Sequence, residues 1–393
     1  MSKYDFDTVI NRKNTNSLKY DFAEKRNYPK DVLPYWVADM DFKTPKEVTD
    51  ALINRINHGI FGYTYYKDDY LDVVKKWFYN HYDYKIENDW IVTTPGVVFA
   101  IVTAINAFTE EGDAVIIQQP VYYPFRTSIV NNNRKLVVNS LVYKDNKYSI
   151  DFDDFEEKII LNKVKLFILC NPQNPVGRVW TKEELTKLGE ICLRHNVIVV
   201  SDEIHCDFVY EGYKHTPFAS INEEFEDITI TCTSPSKTFN LAGLQISNIF
   251  IKNSSLRRRF KFQRNLTGYD EPNTLGLTAC YAAYSYGDPW LKELKAYLLE
   301  NIRKTNEFLN EHLNKVKLIK TEGTYLIWLD FSAYNLSDDE LNNIIINKAN
   351  LWLDKGSMFG PEGEQFQRIN VACPWIILEK ALNNLKEAFK EYK

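Results

Sequence analysis

Short, fully apolar runs alternate with helix-periodic stretches between residues 90 and 251. Residues 114–117 and 197–200, for example, are uninterrupted runs of Ala, Val and Ile. Strands with this pattern are buried on both faces, which is typical of a mostly parallel sheet covered by helices. The alternation therefore predicts an α/β fold for this part of the chain.

Polar residues cluster directly after several of these runs. The clusters occupy residues 120–124, 171–177, 201–205 and 233–240. Ligands of parallel sheets bind beyond the carboxyl ends of the strands. We therefore expect the four clusters to meet at one edge of the sheet and to form the functional site.

Helix patterns occur on both sides of this region and within it. Residues 45–58 and 69–81 have helical periodicity, and Thr181 with Glu184 forms a capping-box motif. Asp288, followed by proline, predicts the cap of a long helix that ends near residue 315.

Three domains follow from this division of the chain. We expect an N-terminal arm with part of a small domain at residues 1–47 and a large cofactor-binding domain at 48–288. Residues 289–393 form the predicted C-terminal small domain, of α+β class.

The composition is that of an ordinary globular protein, with 45% hydrophobic and 26% charged residues. A net charge of -5 offers no basic surface for nucleic acid and disfavours anionic membranes. Six scattered cysteines without CxxC pairs are typical of reduced, buried thiols. Because residues 1–7 show no apolar signal core and no run reaches transmembrane length, we expect a cytoplasmic protein.

Lys237 lies in the cluster that follows the apolar run at 228–232. Ser234 and Ser236 precede it, with a proline between them. Small hydroxyls and turn N–H groups suit a phosphate, and a lysine sheltered from water loses its proton and attacks aldehydes. A phosphate beside such an amine predicts pyridoxal phosphate, held as a Schiff base on Lys237. Since most lysines are surface charges, this hypothesis depends on the other clusters.

The other strand-end clusters contain groups that such a cofactor needs. Asp202 can keep the pyridine nitrogen protonated, so that the ring accepts the electrons left by a bond broken at Cα. Asn174, fixed between prolines, can bond the ring oxygen, and Tyr122 can stack on the ring. His205 can reach the same ring oxygen or can be an ordinary core histidine.

Two further sets of residues can bind the two anionic groups of the expected complex, the cofactor phosphate and the substrate carboxylate. The N–H groups of Gly96, Val97 and Val98, where a helix opens, can bind the phosphate. Arg368, in a strand pattern, can hold a substrate carboxylate through two parallel hydrogen bonds. Taken alone, these features have ordinary explanations as a turn glycine and a surface arginine.

The order of these motifs resembles the fold-type I pyridoxal-phosphate enzymes of the class I/II aminotransferase superfamily. The resemblance spans nearly the whole chain and is carried by Pro-x-Tyr, Asn-Pro-x-Asn-Pro-x-Gly, Ser-Asp-Glu-x-His, Ser-x-Ser-Lys and a late arginine. Within the superfamily the chain is most similar to the MalY/PatB-type cystathionine β-lyases, or C–S lyases. The segments that carry this closer similarity are 36–42, 61–63, 201–205, 236–240 and 323–330.

The resemblance implies a fold and a set of roles. The implied fold has a large domain with a mostly parallel seven-stranded sheet and a smaller α+β domain, and the implied cofactor is pyridoxal 5′-phosphate. The implied catalytic residues are Lys237, Asp202 and Tyr122, and the implied substrate-binding residues are Ala38, Asn174 and Arg368. The residues implied to bind the cofactor are Tyr63, Gly96, Val97, Val98, Tyr122, Asn174, Asp202, His205, Ser234, Ser236 and Lys237.

Three positions carry further implications of the resemblance. Tyr63 matches a tyrosine that reaches the phosphate of the neighbouring subunit, which implies a homodimer with shared active sites. His205 stands where many aminotransferases have tyrosine, and this difference is a feature of C–S lyases of this type. Gln245 stands where many have arginine, so phosphate binding is expected to depend more on backbone N–H groups and hydroxyls.

The reaction that the resemblance implies is α,β-elimination on an L-cysteine thioether, which yields a thiol, pyruvate and ammonia. An aminotransferase is the nearest alternative, because the same residues serve both reactions. A regulatory protein that keeps the fold to contact a transcription factor is a further alternative. A nicotinamide dehydrogenase is disfavoured, because the sequence has no strand–GxGxxG–helix unit. The expected partners are an amino-acid substrate and a second copy of the chain, and the preferred thioether stays open.

Overall fold

The computed structural model describes residues 3–392. Met1 and Ser2 of the predicted arm and Lys393 of the predicted C-terminal domain lie outside the described residues. The strands are β1 (Leu33–Pro34), β2 (Ile91–Thr94), β3 (Ala114–Gln119), β4 (Lys135–Ser140), β5 (Val142–Lys144), β6 (Lys147–Ser149), β7 (Leu166–Cys170), β8 (Ile198–Asp202), β9 (Thr229–Thr233), β10 (Ser247–Phe250), β11 (Lys317–Leu318), β12 (Leu326–Asp330), β13 (Leu351–Trp352), β14 (Asp354–Lys355) and β15 (Phe366–Asn370).

Helices separate most of the strands. They are α1 (Lys46–His58), α2 (Asp68–Tyr82), α3 (Val97–Phe108), α4 (Pro124–Val130), α5 (Phe152–Asn162), α6 (Lys182–Arg194), α7 (Glu223–Asp227), α8 (Pro235–Thr238), α9 (Ser254–Asn265), α10 (Thr274–Tyr286), α11 (Asp288–His312), α12 (Asp338–Asn343) and α13 (Trp375–Ala388).

Seven strands form the large sheet, in the order β2-β10-β9-β8-β7-β3-β4. β10 runs antiparallel to β2 and β9, and the other neighbours are parallel. The predicted α/β class and mostly parallel seven-stranded sheet are therefore confirmed. β3, β7, β8 and β9 end at the same edge, and each leads into one of the polar clusters.

Both faces of this sheet are covered by helices. Val115 and Ile117 of β3 pack in a core with residues of α3, α4 and α9. Ala114 and Ile116, which alternate with them, pack in a second core with residues of α5 and α6. Because every position of such a strand is buried, the apolar runs contain no polar interruption.

A second sheet, β11-β12-β15-β14, is antiparallel throughout. Leu326, Ile327, Leu329 and Ile369 of this sheet share one core with residues of α2, α10, α11 and α13. That core includes Phe42 and Val48, on either side of one predicted domain boundary, and Ala283 and Trp290, on either side of the other. The domain boundaries stay a prediction.

Helix ends match the sequence patterns with one correction. Thr181 and Glu184 form the predicted capping box at the start of α6. Asp288 is not the cap of α11, since Gly287 occupies that position and makes no side-chain cap bond. The carboxylate of Asp288 instead lies 2.8 Å from Nε2 of His81, at the end of α2. α10 is not among the predicted elements, because its sequence is apolar or weakly polar nearly all round and shows little contrast between a hydrophobic and a polar face.

The remaining global features agree with the composition. All six cysteines are buried and free. Among residues 3–392, none of the helices has the length and apolar character needed to cross a bilayer. The same residues contain no group of histidine, cysteine and acidic side chains that could hold a metal ion.

Candidate active site

A cavity of about 210 Å³ lies at the carboxyl edge of the large sheet. Its walls come from the residues that follow β2, β3, β7, β8 and β9. All but two of the predicted site residues line it, and the ones that do so are Ala38, Gly96, Val97, Val98, Tyr122, Asn174, Asp202, His205, Ser234, Ser236 and Lys237. The expectation that the polar clusters converge is therefore confirmed.

Lys237 lies on α8, the short helix that follows β9. Ser234 caps this helix, because its Oγ accepts a hydrogen bond of 3.1 Å from the backbone N–H of Ser236. The ammonium Nζ of Lys237 donates to the carbonyl oxygen of Ala38 at 2.8 Å. Burial, together with the positive charge of Arg368, lowers the pKa of Lys237 to about 8, against the opposing effect of nearby carboxylates. The neutral amine, which is the nucleophilic and basic form, is thus accessible near physiological pH.

Asp202 is the last residue of β8 and is buried. Its carboxylate accepts a hydrogen bond of 3.1 Å from the N–H of Ile204, and no ion pair reaches it from the described residues. Burial raises the pKa of Asp202 to about 7. A buried carboxylate without a cationic partner is costly, so this position suits a ligand that brings a positive charge or a proton donor.

Asn174 and Tyr122 also line the cavity and are linked through the backbone. The N–H of Tyr122 donates to the carbonyl oxygen of Asn174 at 3.1 Å. Oδ1 of Asn174 accepts a hydrogen bond of 2.9 Å from Nη1 of Arg368. Burial raises the pKa of the Tyr122 hydroxyl, so the side chain presents a neutral phenol to the cavity.

His205 is buried and its Nδ1 atom has no hydrogen-bond partner among the described residues. Burial, with smaller effects of Lys237 and Arg368, lowers the pKa of His205 to about 3. The imidazole is therefore neutral, and its ring stands edge-on to Tyr325 at 5.9 Å between centroids. An unpartnered buried nitrogen that lines a cavity indicates a missing polar ligand.

The end of the cavity near β2 and β9 offers donors for an anion. Gly96 caps α3, so the N–H groups of the first turn of this helix are free to bind an anion. The hydroxyl of Ser234 donates to the carbonyl oxygen of Ile246 at 2.7 Å, so its hydrogen is already used. Gln245 lines the cavity here in place of an arginine.

Arg368 lies on β15, outside the cavity lining but in contact with it through Asn174. Its Nη2 atom donates to the carbonyl oxygen of Trp36 at 2.8 Å and pairs with the buried carboxylate of Asp354. Burial raises the pKa of Asp354, and the charge of Arg368 opposes that effect. The Nε atom of Arg368 is buried and has no partner among the described residues.

Asp354 is the main residue that sequence reasoning missed. It lies on β14, directly opposite Arg368 in the antiparallel register. The strand β14 has only two residues, so no alternation or propensity signal points to it. Only the pairing of the two strands brings the carboxylate to the arginine.

Tyr63 differs from the other predicted site residues because its side chain is almost fully exposed to solvent. Its side chain is 97% exposed, in the connection between α1 and α2. Ile60, Phe61 and Tyr65 beside it are exposed as well. The single chain does not bring Tyr63 to the cavity.

The residues present fit pyridoxal phosphate. The cavity holds a buried amine of lowered pKa, an unpaired buried carboxylate, an unpartnered imidazole nitrogen and a helix N-terminus. These groups suit, respectively, an aldehyde, a protonated pyridine nitrogen, a ring hydroxyl and a phosphate. Lys237, Asp202, His205 or Asn174, and the first turn of α3 are the residues that would hold it.

Comparison with known proteins supports the same chemistry. Residues 31–384 match the family model for aminotransferases of class I and II. The cystathionine β-lyase PatB of Bacillus subtilis is 47% identical over 98% of this chain and 99% of its own length.

Solved structures give the same result for the fold. Cystalysin of Treponema denticola, whose crystal structure contains pyridoxal 5′-phosphate, matches with a TM-score of 0.96 at 41% identity, over 99% of this chain and 100% of that one. The pyridoxal-phosphate-bound C–S lyase of Staphylococcus hominis matches with a TM-score of 0.92 at 34% identity, over 99% of both chains.

Proposed function

This chain belongs to the aminotransferase class I and II family, and we propose that it is a pyridoxal-phosphate-dependent carbon–sulfur β-lyase of the cystathionine β-lyase type. Its substrates are L-cysteine thioethers, which it converts to a thiol, pyruvate and ammonia. The observation that carries the proposal is the cavity in which Lys237, Asp202, Asn174 and His205 converge, in a chain that is 47% identical to PatB along nearly its whole length.

When bound, pyridoxal phosphate supplies an aldehyde that takes up amines and a protonated ring that accepts the electrons left when a bond at Cα breaks. Asp202 would hold the ring nitrogen and keep it protonated, which would also relieve the carboxylate of its unpaired burial. Asn174 and His205 would hold the ring hydroxyl, and Tyr122 would hold the ring by stacking. The first turn of α3 and Ser236 would hold the phosphate.

Lys237 is the base that removes the Cα proton of the substrate. Its pKa of about 8 leaves a useful fraction of neutral amine near pH 7 to 8, while the protonated form remains strong enough to return a proton. The electron pair of the broken Cα–H bond forms the Cα–Cβ double bond, and the pair of the Cβ–S bond leaves with the thiolate. Water then hydrolyses the released enamine to pyruvate and ammonia, and the thiolate takes up a proton.

Arg368 holds the substrate α-carboxylate. The guanidinium is buried and is already oriented by Asn174, Trp36 and Asp354, so little freedom is lost when a carboxylate binds. Its unpartnered Nε–H supplies one donor for that carboxylate. Ala38, whose carbonyl oxygen bonds Lys237, lies beside the reacting carbon in this proposal.

The working form in this proposal is a cytoplasmic homodimer with shared active sites. The exposed run of Ile60, Phe61, Tyr63 and Tyr65 is an apolar surface that a second copy would bury. Tyr63 would then reach the phosphate in the partner's cavity. Six buried, free cysteines are consistent with a reducing compartment.

The test is a coupled assay of pyruvate and thiol released from L-cystathionine. We expect equal amounts of both products and no requirement for a 2-oxo acid. A protein that is inert alone but transfers the amino group when a 2-oxo acid is added would be an aminotransferase, and the lyase proposal would be wrong. Assays with several S-substituted cysteines then rank the thioethers.

A further inference from the structure

The segment of residues 36–42 contacts both cationic groups of the proposed active site through its backbone. The carbonyl oxygen of Trp36 accepts a hydrogen bond of 2.8 Å from Arg368, and that of Ala38 accepts one of 2.8 Å from Lys237. This segment therefore helps to hold both the carboxylate-binding group and the base in place.

The same segment is tied to the elements that carry these two residues. Asn240, three residues after Lys237 in sequence, donates to the carbonyl oxygens of Met40 and Phe42 at 2.9 and 3.1 Å. Asn370, two residues after Arg368 in sequence, donates to the carbonyl oxygens of two segment residues at 2.6 Å each. Asn370 lies on the same strand as Arg368, and Asn240 lies just beyond the end of α8, which carries Lys237.

A third connection runs to the N-terminal arm through four charged residues, Arg12, Lys19, Asp39 and Asp41, which we call the arm clamp. Arg12 contacts Asp39 at 2.5 Å and Asp41 at 2.7 Å. Lys19 contacts Asp41 at 2.9 Å and lies 3.7 Å from Asp39. Tyr20 adds a hydrogen bond of 2.9 Å to Asp41.

The burial of the arm clamp is unusual for charged residues. The side chain of Lys19 is 1% exposed and that of Asp41 is 3% exposed. Although burial acts in the opposite direction, the pKa of Asp41 lies below its ordinary value because of Lys19 and Arg12. A buried ion pair adds little net stability to a protein, but removing one partner is strongly destabilising because the other charge stays buried without a partner. Such pairs therefore specify a geometry rather than hold the fold together.

We propose that the arm clamp is a positioning device for the lyase reaction. Together with Asn240 and Asn370 it holds the segment of residues 36–42, and so sets the carbonyl oxygens that orient Lys237 and Arg368. Arg12 and Lys19 are positioning residues, since they act through the segment. The inference rests on the proposed function, because it assigns these residues to the same reaction.

The variant Lys19→Met tests the proposal, since it removes the charge and keeps most of the side-chain volume. We expect kcat for cystathionine to fall about tenfold and the dissociation constant of L-alanine, which has no leaving group at Cβ, to rise about tenfold. The dissociation constant of pyridoxal phosphate should stay within about twofold, because the phosphate end is built from α3 and α8 rather than from the clamp. Lys19→Arg should restore most of the kcat and the L-alanine binding.

Controls separate positioning from stability and from the proposed function. Lys390→Met, at an exposed ion pair with Glu387 just beyond the end of α13, should change neither quantity. If Lys19→Met does not fold, Asp41→Asn removes the facing charge at constant shape and should give the same two changes. A variant with a lower melting temperature but unchanged kcat and unchanged L-alanine binding overturns the arm clamp as a positioning device. A wild-type protein that releases no pyruvate, but whose L-alanine binding still weakens in Lys19→Met, overturns the lyase function and supports the clamp.

Discussion

The two sides of the active site are built in different ways. On the sheet side, Asp202 ends a strand of the large sheet, and Asn174 and Lys237 lie a few residues beyond the ends of two others, so the strands place these residues. On the other side, Arg368 is oriented by Trp36, 332 residues away in sequence, and by Asp354 on a neighbouring strand. The segment of residues 36–42 is likewise held by contacts to distant parts of the chain.

This difference separates two kinds of dependence. The sheet side depends on a hydrophobic core that buries whole strands, so its geometry rests on many non-directional contacts. The other side depends on a few buried ion pairs and carbonyl contacts, each of which is directional. We therefore expect changes on the sheet side to remove chemistry, and changes on the other side to misplace the substrate.

Lys237→Ala should have the largest effect, because it removes the base and the amine that anchors the cofactor. We expect pyruvate release from cystathionine to fall by about 10⁴-fold or more. Lys46→Ala, at a lysine whose side chain is 80% exposed, is the matched control and should leave the rate unchanged. Substantial pyruvate release by purified Lys237→Ala would falsify the assignment of the base.

Asp202→Asn should reduce kcat by about a hundredfold, because an amide cannot keep the ring nitrogen protonated. The cofactor should still bind, since the other contacts remain, and an absorbance titration with pyridoxal phosphate checks this. Retention of wild-type kcat would place the charge that supports the ring somewhere else in the cavity.

The same variant gives a pH dependence in the cofactor-free protein. Burial raises the pKa of Asp202 from 3.8 to about 7, so the folded state favours the protonated acid. The unfolded chain releases this proton near pH 4, and the stability contributed by the acid is therefore lost as pH rises from about 4 to about 7. We expect Asp202→Asn to unfold at a higher temperature than the wild type at pH 7, and at nearly the same temperature at pH 4. If the difference in melting temperature between the variant and the wild type is the same at both pH values, this prediction is wrong.

Asp354→Asn should affect recognition more than chemistry. It leaves Arg368 buried with a weaker partner, so we expect KM for cystathionine to rise about tenfold and kcat to change less than about threefold. Asp339→Asn, which removes an exposed acidic partner of Lys355, is the matched control and should leave KM as it is. If kcat falls and KM does not rise, Asp354 affects the chemistry, as expected for residues of the sheet side.

Thr181→Ala should have the smallest effect, because it lies in neither region. The loss of the capping box at α6 should lower the free energy of unfolding by about 1 kcal/mol, with kcat and KM unchanged. Chemical denaturation of the holoenzyme measures the first quantity and the pyruvate assay the others. A change in KM would show that α6 communicates with the substrate side.

The sequence predicted the sheet side well for a physical reason. An apolar run that ends in a polar cluster marks both a buried strand and its carboxyl end, and both pieces of information are local. The predicted fold class and family are confirmed by the seven-stranded sheet and by the family match, and the relatives support the predicted cofactor and lyase activity. The roles of individual site residues and the domain boundaries stay predictions.

Other features were not predictable from local patterns. The sequence pattern at Asp288 predicts a helix cap, but its carboxylate instead bonds a histidine of another helix. The hydroxyl of Ser234 donates to the carbonyl oxygen of Ile246, and the role of this residue as a phosphate ligand stays a prediction. In both cases a neighbour brought in by folding competes for the same polar atom.

Sequence by itself determined that a lysine, an aspartate and an asparagine meet at the ends of parallel strands, because strand burial and strand ends can be predicted from consecutive residues. Tertiary structure alone decided that Asp354 faces Arg368 and that Arg12 and Lys19 hold the segment beside Lys237. Those contacts join residues far apart along the chain, and the energy of an ion pair depends on a distance and a degree of burial that no local pattern specifies.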